Sequence, residues 1–126
     1  MGAAGRIVDA LIGTPLTPAP HLVARWPELG RVRWRRGGIP PRIPALFFGT
    51  PSVAVTLWSY VFLGPGLEPT PDLLLHELRH VQQFQSIRGF PMRYLWELAR
   101  RGYRANRFEA DARDYAAACL RDTPSI

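Results

Sequence analysis

The stretch Leu73-Leu74-Leu75-His76-Glu77-Leu78-Arg79-His80-Val81-Gln82-Gln83 holds the densest set of reactive side chains in the sequence. Within it, His76 and His80 stand four residues apart and Glu77 follows the first of them, which is an H-E-x-x-H pattern. On an α-helix, positions i and i+4 lie about 40° apart around the axis, so both imidazoles reach one metal ion. Glu77 projects about 100° away from His76. A carboxylate beside the metal takes a proton from water without being a ligand. The pattern therefore predicts a zinc site with His76 and His80 as ligands and Glu77 as the general base.

The flanking residues place this motif inside a helix. Thr70-Pro71-Asp72 offers an N-cap, a proline at the first helical position and an acid in the first turn. Arg88-Gly89 offers a basic last turn and a C-terminal glycine. We therefore predict a helix over residues 71–88, with an apolar stripe formed by Leu74, Leu78, Val81 and, more weakly, Gln85. The alternative is an exposed helix face on which Glu77 pairs with arginines and the histidines are ordinary, partly buried residues.

A catalytic zinc site needs a third protein ligand and one open position. The chain has three histidines, and the remaining one, His21, lies in a proline-rich N-terminal stretch. A carboxylate is the better candidate, and Glu109 stands on a second predicted helix, residues 105–121, among alanines that let two helix backbones approach closely. The alternative role of Glu109 is a capping box with Asn106 as the N-cap. Two further acids of this helix are fallback ligands or partners for the histidine N–H groups, unless they belong to a solvated face: Asp111 and Asp114.

A third helix is predicted between these two, over residues 91–101. It begins at Pro91 and is closed by Arg101-Gly102, and its apolar side chains are expected to pack the other two helices together. Tyr94 and Tyr103 are candidates for the hydrogen-bond donor that stabilises the oxyanion of a tetrahedral intermediate. The alternative is that both tyrosines are amphipathic core residues.

The histidine motif, the apolar segment before it and the run Tyr103–Ala112 together resemble minimal single-domain gluzincin metallopeptidases. They are also similar to the metallopeptidase-like core domain associated with bacterial injection systems. In gluzincins a helix carries H-E-x-x-H, often with a glutamine three residues later, and a glutamate from a later helix completes the zinc site. The resemblance covers about residues 53–118. It implies a zinc peptidase in which His76, His80 and Glu109 bind one zinc ion and Glu77 is the general base. Gluzincins often have Asp or Ala four residues after the ligand glutamate, and this chain has Arg113 there. The departure concerns the residues that surround the ligands more than Glu109 itself.

The apolar segment Ser52–Leu63 is rich in β-branched and aromatic residues and ends at Gly64-Pro65-Gly66, which indicates a strand followed by a turn. We predict an α+β, zincin-like fold with a small, mainly antiparallel sheet over residues 31–63 packed on about three helices. In peptidases of this layout, an edge strand binds an extended peptide or protein substrate by strand addition. A partner protein is a further candidate for selecting the substrate, and a simple buried strand is the alternative.

Length and composition limit the remaining possibilities. At 126 residues we expect one zincin-like domain, residues 31–126, preceded by an extended arm, residues 1–30, that is rich in proline and contains no helix over residues 13–30. The single cysteine, Cys119, favours a reducing compartment, and we expect a cytoplasmic protein. The uncharged run Ile43–Leu67 has the length of a membrane span, but prolines and glycines divide it. Integral membrane insertion is therefore not expected, while peripheral contact with a membrane remains an alternative.

All sixteen basic residues are arginine, and the net charge is +6. Such a charge favours contact with nucleic acid or anionic lipid, and the segment Arg31–Arg36 mixes arginines with Trp34, which can stack on a base. A basic protein that binds nucleic acid or a membrane surface, with an incidental or non-catalytic H-E-x-x-H, is therefore the alternative function. The other interpretation of Arg31–Arg36 is a strand whose Val32 and Trp34 face inward. The motif makes a zinc-dependent peptidase the favoured prediction.

Overall fold

The computed structural model describes residues 2–44 and 53–122. The chain forms two compact units, Met1–Pro69 and Thr70–Ile126. A four-stranded sheet lies in the first unit, and long helices make up the described part of the second. The predicted α+β class is therefore confirmed, whereas the predicted domain limits at residues 30 and 31 stay a prediction.

The N-terminal region contains helices that the sequence analysis did not predict. Helix α1 spans Ala3–Ile12, helix α2 spans Pro20–Arg25, and a 3₁₀ helix spans Pro27–Arg31. The prediction of a helix-free, extended segment over residues 13–30 is therefore wrong. The physical reason is that Pro20 and Pro27 each stand in the first turn of a helix, where the missing N–H is not needed and the fixed φ suits the helix.

The sheet has the order β1-β2-β4-β3, with β1 at Thr14–Pro15, β2 at Arg33–Arg36, β3 at Ala54–Leu57 and β4 at Tyr60–Leu63. Strands β1 and β3 are antiparallel to their neighbours, and β2 and β4 pair in parallel. Residues 52–63 were expected to form one strand, but the described part, from residue 53 on, is a hairpin. The chain reverses at Trp58, which adopts a positive φ of 56°.

The basic segment Arg31–Arg36 follows the alternating pattern of a half-buried strand. Val32 and Trp34 are 7% and 4% exposed, which confirms that they face inward. Arg35 and Arg36 use their guanidinium groups to bind backbone carbonyl oxygens, those of Ile12, Gly13, Gly64 and Leu67. The side chains of these two arginines therefore connect β2 to the end of α1 and to the segment after β4.

Three long helices follow Pro69: α3 at Pro71–Ser86, α4 at Phe90–Ala105 and α5 at Arg107–Arg121. Thr70 is the N-cap of α3, as predicted, and its hydroxyl accepts from the N–H of Leu73. Helix α3 ends before Arg88, and Gly89 instead takes a left-handed conformation as the N-cap of α4. Helix α4 is interrupted at Gly102, with φ of 76°, next to the predicted end at residue 101.

An aromatic cluster joins the three helices. The ring of Phe90 packs within 4.8 Å of Phe84 and 5.1 Å of Phe108, measured between ring centroids, and Tyr94 lies 5.8 Å away. The apolar stripe of α3 is buried at Leu74, Leu78 and Val81. Gln85, which was assigned more weakly to that stripe, is exposed.

Within residues 2–44 and 53–122, no helix combines the length and apolarity needed to cross a membrane. The uncharged run Ile43–Leu67 contributes β3 and β4, and its residues 45–52 lie outside the described residues.

Candidate metal centre

Helix α3 places its two histidines one turn apart on the same face. The rings of His76 and His80 meet edge to face, with their centroids 5.0 Å apart. His80 is buried, whereas His76 is partly accessible. The two imidazoles therefore lie side by side on one face of the helix, as the i, i+4 spacing predicts.

Helix α5 brings Glu109 to the same point. The carboxylate oxygen Oε1 of Glu109 lies 2.9 Å from Nε2 of His76 and 3.1 Å from Nε2 of His80. Helices α3 and α5 pack closely because Ala112 and Ala116 are fully buried and offer no bulk between the two backbones. Glu109 is only 3% exposed, so its charge is satisfied by these partners instead of by bulk water.

The capping alternative for Glu109 is not what the structure contains. Asn106 is the N-cap of α5, and its side-chain oxygen accepts from the N–H of Phe108 at 2.9 Å. The backbone N–H of Asn106 donates to the carbonyl of Tyr103, so it is not taken by Glu109 as a capping box requires. Glu109 points its carboxylate toward α3 and α4.

The electrostatics of the cluster favour an ionised carboxylate. Burial by itself would raise the pKa of Glu109, but hydrogen bonds from His76 and His80 outweigh burial and hold that pKa well below its usual range. Burial likewise opposes a charge on His80, but the hydrogen bond to Glu109 and the negative charges of Glu77 and Glu109 raise the pKa of His80 from 6.5 to about 9. In the metal-free protein at neutral pH, His80 and Glu109 form a buried ion pair.

The two tyrosines proposed as oxyanion donors both lie at Glu109. The hydroxyl of Tyr94 donates to Oε2 of Glu109. Burial and the charge of Glu109 raise the pKa of both phenols, and Tyr103 also hydrogen-bonds to this carboxylate. Both hydroxyls are thus protonated donors that steady the carboxylate, and their role toward an oxyanion stays a prediction.

Glu77 lies beside the cluster without belonging to it. Its side chain is buried, and its negative charge contributes to the raised pKa values of His80, Tyr94 and Tyr103. Among the described residues, the metal-competent group consists of His76, His80 and Glu109 and does not include Glu77. The predicted role of Glu77 as a general base stays a prediction.

The two fallback acids differ in position. Asp114 lies on an exposed part of α5. Asp111 forms an ion pair with Arg79, with 2.8 Å between Oδ2 and Nε, and accepts from Nε2 of Gln83 at 2.9 Å. Oε1 of Gln83 lies 2.8 Å from Nδ1 of His80, so Asp111 reaches a histidine through an amide and not directly.

Gln83 and Arg79 contact the site without having been assigned a role in it from the sequence, although the family that the chain resembles often has a glutamine at the position of Gln83. Gln83 stands three residues after His80, and positions i and i+3 of a helix are neighbours. That spacing was the available signal for Gln83. The contact of Arg79 with Asp111 joins two helices whose residues are far apart in the chain, so no local spacing predicts it.

The three side chains are close enough together to share a metal ion. One ligand atom from each of His76, His80 and Glu109 lies within 4.8 Å of the other two. Zn–N and Zn–O distances of about 2.0–2.2 Å put two ligand atoms of a tetrahedral site roughly 3.3 Å apart. The separations of 2.9 and 3.1 Å between each histidine Nε2 and Oε1 of Glu109 are hydrogen-bond distances and are shorter than that value. The structure thus contains a possible metal site built from two imidazoles and one carboxylate.

Comparisons of the chain with protein-family models, with curated proteins and with solved structures gave no match.

Proposed function

We propose that this protein is a zinc-dependent hydrolase, a peptidase of the gluzincin type. The observation that carries the proposal is the convergence of Nε2 of His76 and Nε2 of His80 on one carboxylate oxygen of Glu109, within a buried and closely packed pair of helices. An accidental H-E-x-x-H on a solvated helix face gives no reason for a buried glutamate of another helix to meet both histidines.

The chemistry of the donor set supports zinc as the metal. Two imidazoles and one carboxylate match the ligands that catalytic zinc sites use, and such sites leave one position open. No fourth His, Cys, Asp or Glu joins the group among the described residues, whereas a purely structural zinc site is closed by four protein ligands. The ionised state of Glu109 suits a cation as well.

Glu77 is the group that we assign to proton transfer. When bound, zinc supplies Lewis acidity, which polarises a substrate carbonyl and lowers the pKa of water. Glu77 accepts a proton from the water as the water oxygen bonds to the substrate carbonyl carbon, and it then delivers that proton to the nitrogen of the leaving amine as the C–N bond breaks. Tyr94 and Tyr103 keep the carboxylate of Glu109 oriented through the hydrogen bonds described above.

We further propose an extended peptide as the substrate. Strand β3, Ala54–Leu57, is at one edge of the described sheet in the first unit, and binding of a peptide along an edge strand by strand addition stays a prediction. We also propose that a partner protein contributes to the choice of substrate.

The variant Glu77→Gln tests the function directly. Zinc-loaded wild type should generate new amino termini in reduced casein, read by mass spectrometry, while Glu77→Gln should keep its zinc and lose at least about 100-fold in rate, the usual contribution of a general base. Glu28→Gln is the matched control, because it makes the same change at an exposed glutamate of the 3₁₀ helix. Zinc-loaded wild type that cuts no peptide bond, or Glu77→Gln that cuts as fast as wild type, would contradict the proposal.

A further inference from the structure

We propose that Gln83 is a positioning residue for His80, and that Asp111, held by Arg79, keeps the Gln83 amide in the orientation that this role needs. The inference rests on the proposed zinc site. It concerns hydrogen bonds within the chain, which can be measured by NMR as well as through zinc binding.

The orientation of the Gln83 amide is decided by its neighbours. Its side-chain nitrogen lies 3.0 Å from the carbonyl oxygen of Phe108 and 2.9 Å from Oδ2 of Asp111. A backbone carbonyl can only accept a hydrogen bond, and a carboxylate that is paired with an arginine is likewise only an acceptor. Rotating the amide by half a turn would set its oxygen against both acceptors at a site where Gln83 is only 3% exposed. The nitrogen therefore faces Phe108 and Asp111, and the oxygen faces His80.

The amide oxygen in turn decides where His80 carries its hydrogen. Oε1 of Gln83 lies 2.8 Å from Nδ1 of His80 and can only accept, so Nδ1 must be the donor. A neutral His80 then has its lone pair on Nε2, the nitrogen that faces Oε1 of Glu109 at 3.1 Å. That is the atom a metal ion needs, and histidine ligands are commonly oriented by a partner on their other ring nitrogen.

Arg79 completes this chain of contacts from inside the histidine motif. Its Nε and Nη2 lie 2.8 and 3.3 Å from the two oxygens of Asp111, which fixes the carboxylate by two bonds. The guanidinium group also packs over the ring of Tyr115, 4.8 Å from its centroid. These contacts keep Oδ2 of Asp111 in place as the acceptor for the Gln83 nitrogen. The presence of an arginine between the two histidines thus has a structural reason, although Arg79 does not face the metal.

The test compares Gln83→Met with Gln85→Met. Both variants replace a glutamine of α3 by an unbranched side chain of similar length, but Gln85 is exposed and lies away from the site. Zinc affinity is measured by competition with a chromophoric chelator, and the imidazole nitrogens of His80 are followed by ¹⁵N NMR. We expect Gln83→Met to weaken zinc binding by about 10–100-fold, the usual effect of removing a partner of a metal-binding histidine. Gln85→Met should bind zinc as wild type does.

The NMR measurement separates positioning from a general loss of structure. In wild type and Gln85→Met, the hydrogen on Nδ1 of His80 should be protected from exchange with water, and Gln83→Met should lose that protection while the backbone spectrum of α3 is kept. Asp111→Ala, which changes a half-exposed side chain, should produce a smaller effect in the same direction. Gln83→Met with wild-type zinc affinity and a protected Nδ1 hydrogen would overturn this inference and leave the proposed function standing. Wild type that binds no zinc would overturn both.

Discussion

Zinc should bind more tightly as the pH rises, because a proton competes with the metal for His80. The pKa of His80 in the metal-free protein is about 9. At about pH 7 the imidazole of His80 is therefore protonated in all but about one molecule in a hundred. Competition by this proton weakens zinc binding by roughly 100-fold, or about 3 kcal/mol. Glu109 adds no proton in this range, because its pKa is held well below the usual value.

The direction of the effect follows from linkage. The pKa of His80 is raised above its unfolded value of 6.5. Its interaction with Glu109 therefore stabilises the metal-free protein fully below that value and is lost as the pH rises through about 9. Metal binding has the opposite dependence, since each zinc ion must displace the proton. We expect the apparent zinc affinity to increase about tenfold between pH 7 and 8.

The measurement is a competition titration against a chelator of known proton affinity, repeated across this pH range at constant ionic strength, with the released protons counted by calorimetry in two buffers. The variant His21→Asn is the control, because it removes an exposed histidine on helix α2 and should leave the slope unchanged. An affinity that does not change with pH, or no proton release near neutral pH, would refute the assignment of a proton to His80.

Two further outcomes follow from the packing and hydrogen bonds of α5. Ala116→Leu should destabilise the protein by about 1–3 kcal/mol. Ala116 is fully buried against α3, so a larger side chain overpacks the interface between the two helices. Thermal unfolding checks this against Ala117→Leu, which adds the same atoms at an exposed position, and equal melting temperatures would contradict close packing of α3 and α5. Tyr94→Phe removes the hydroxyl that donates to Glu109 and should lower the stability of chelator-treated protein by about 1.5–3 kcal/mol, the usual range for a hydrogen bond to a charged group. An unchanged unfolding midpoint in denaturant would show that this hydrogen bond does not stabilise the fold.

The residues of the candidate metal site could be singled out from the sequence because most of their signals are local. The spacing of His76 and His80 fixes their common face as soon as the segment is helical. The alanines around Glu109 indicate a helix that approaches another closely, and the structure buries Ala112 and Ala116 between the two. The N-cap at Asn106 was also visible, but the sequence left open which partner Glu109 would take, because that contact joins residues far apart in the chain.

The errors arise where one local pattern allows two conformations. Prolines are typical both of extended segments and of the first turn of a helix, and Pro20 and Pro27 take the second option. The turn between β3 and β4 was missed because Trp58 adopts a positive φ without the glycine or asparagine that usually marks such a turn. The contacts of Gln83 and Arg79 with Asp111 depend on how α3 meets α5, which no short pattern encodes.

The metal content of the purified protein after exposure to zinc, measured by inductively coupled plasma mass spectrometry for wild type, His80→Ala and Glu109→Ala, tests whether these residues form a zinc site. We expect about one zinc per chain in wild type and a loss of zinc in both variants, since each variant leaves only two of the three candidate ligands. Wild type without zinc, or Glu109→Ala with undiminished zinc, would contradict a site made by His76, His80 and Glu109.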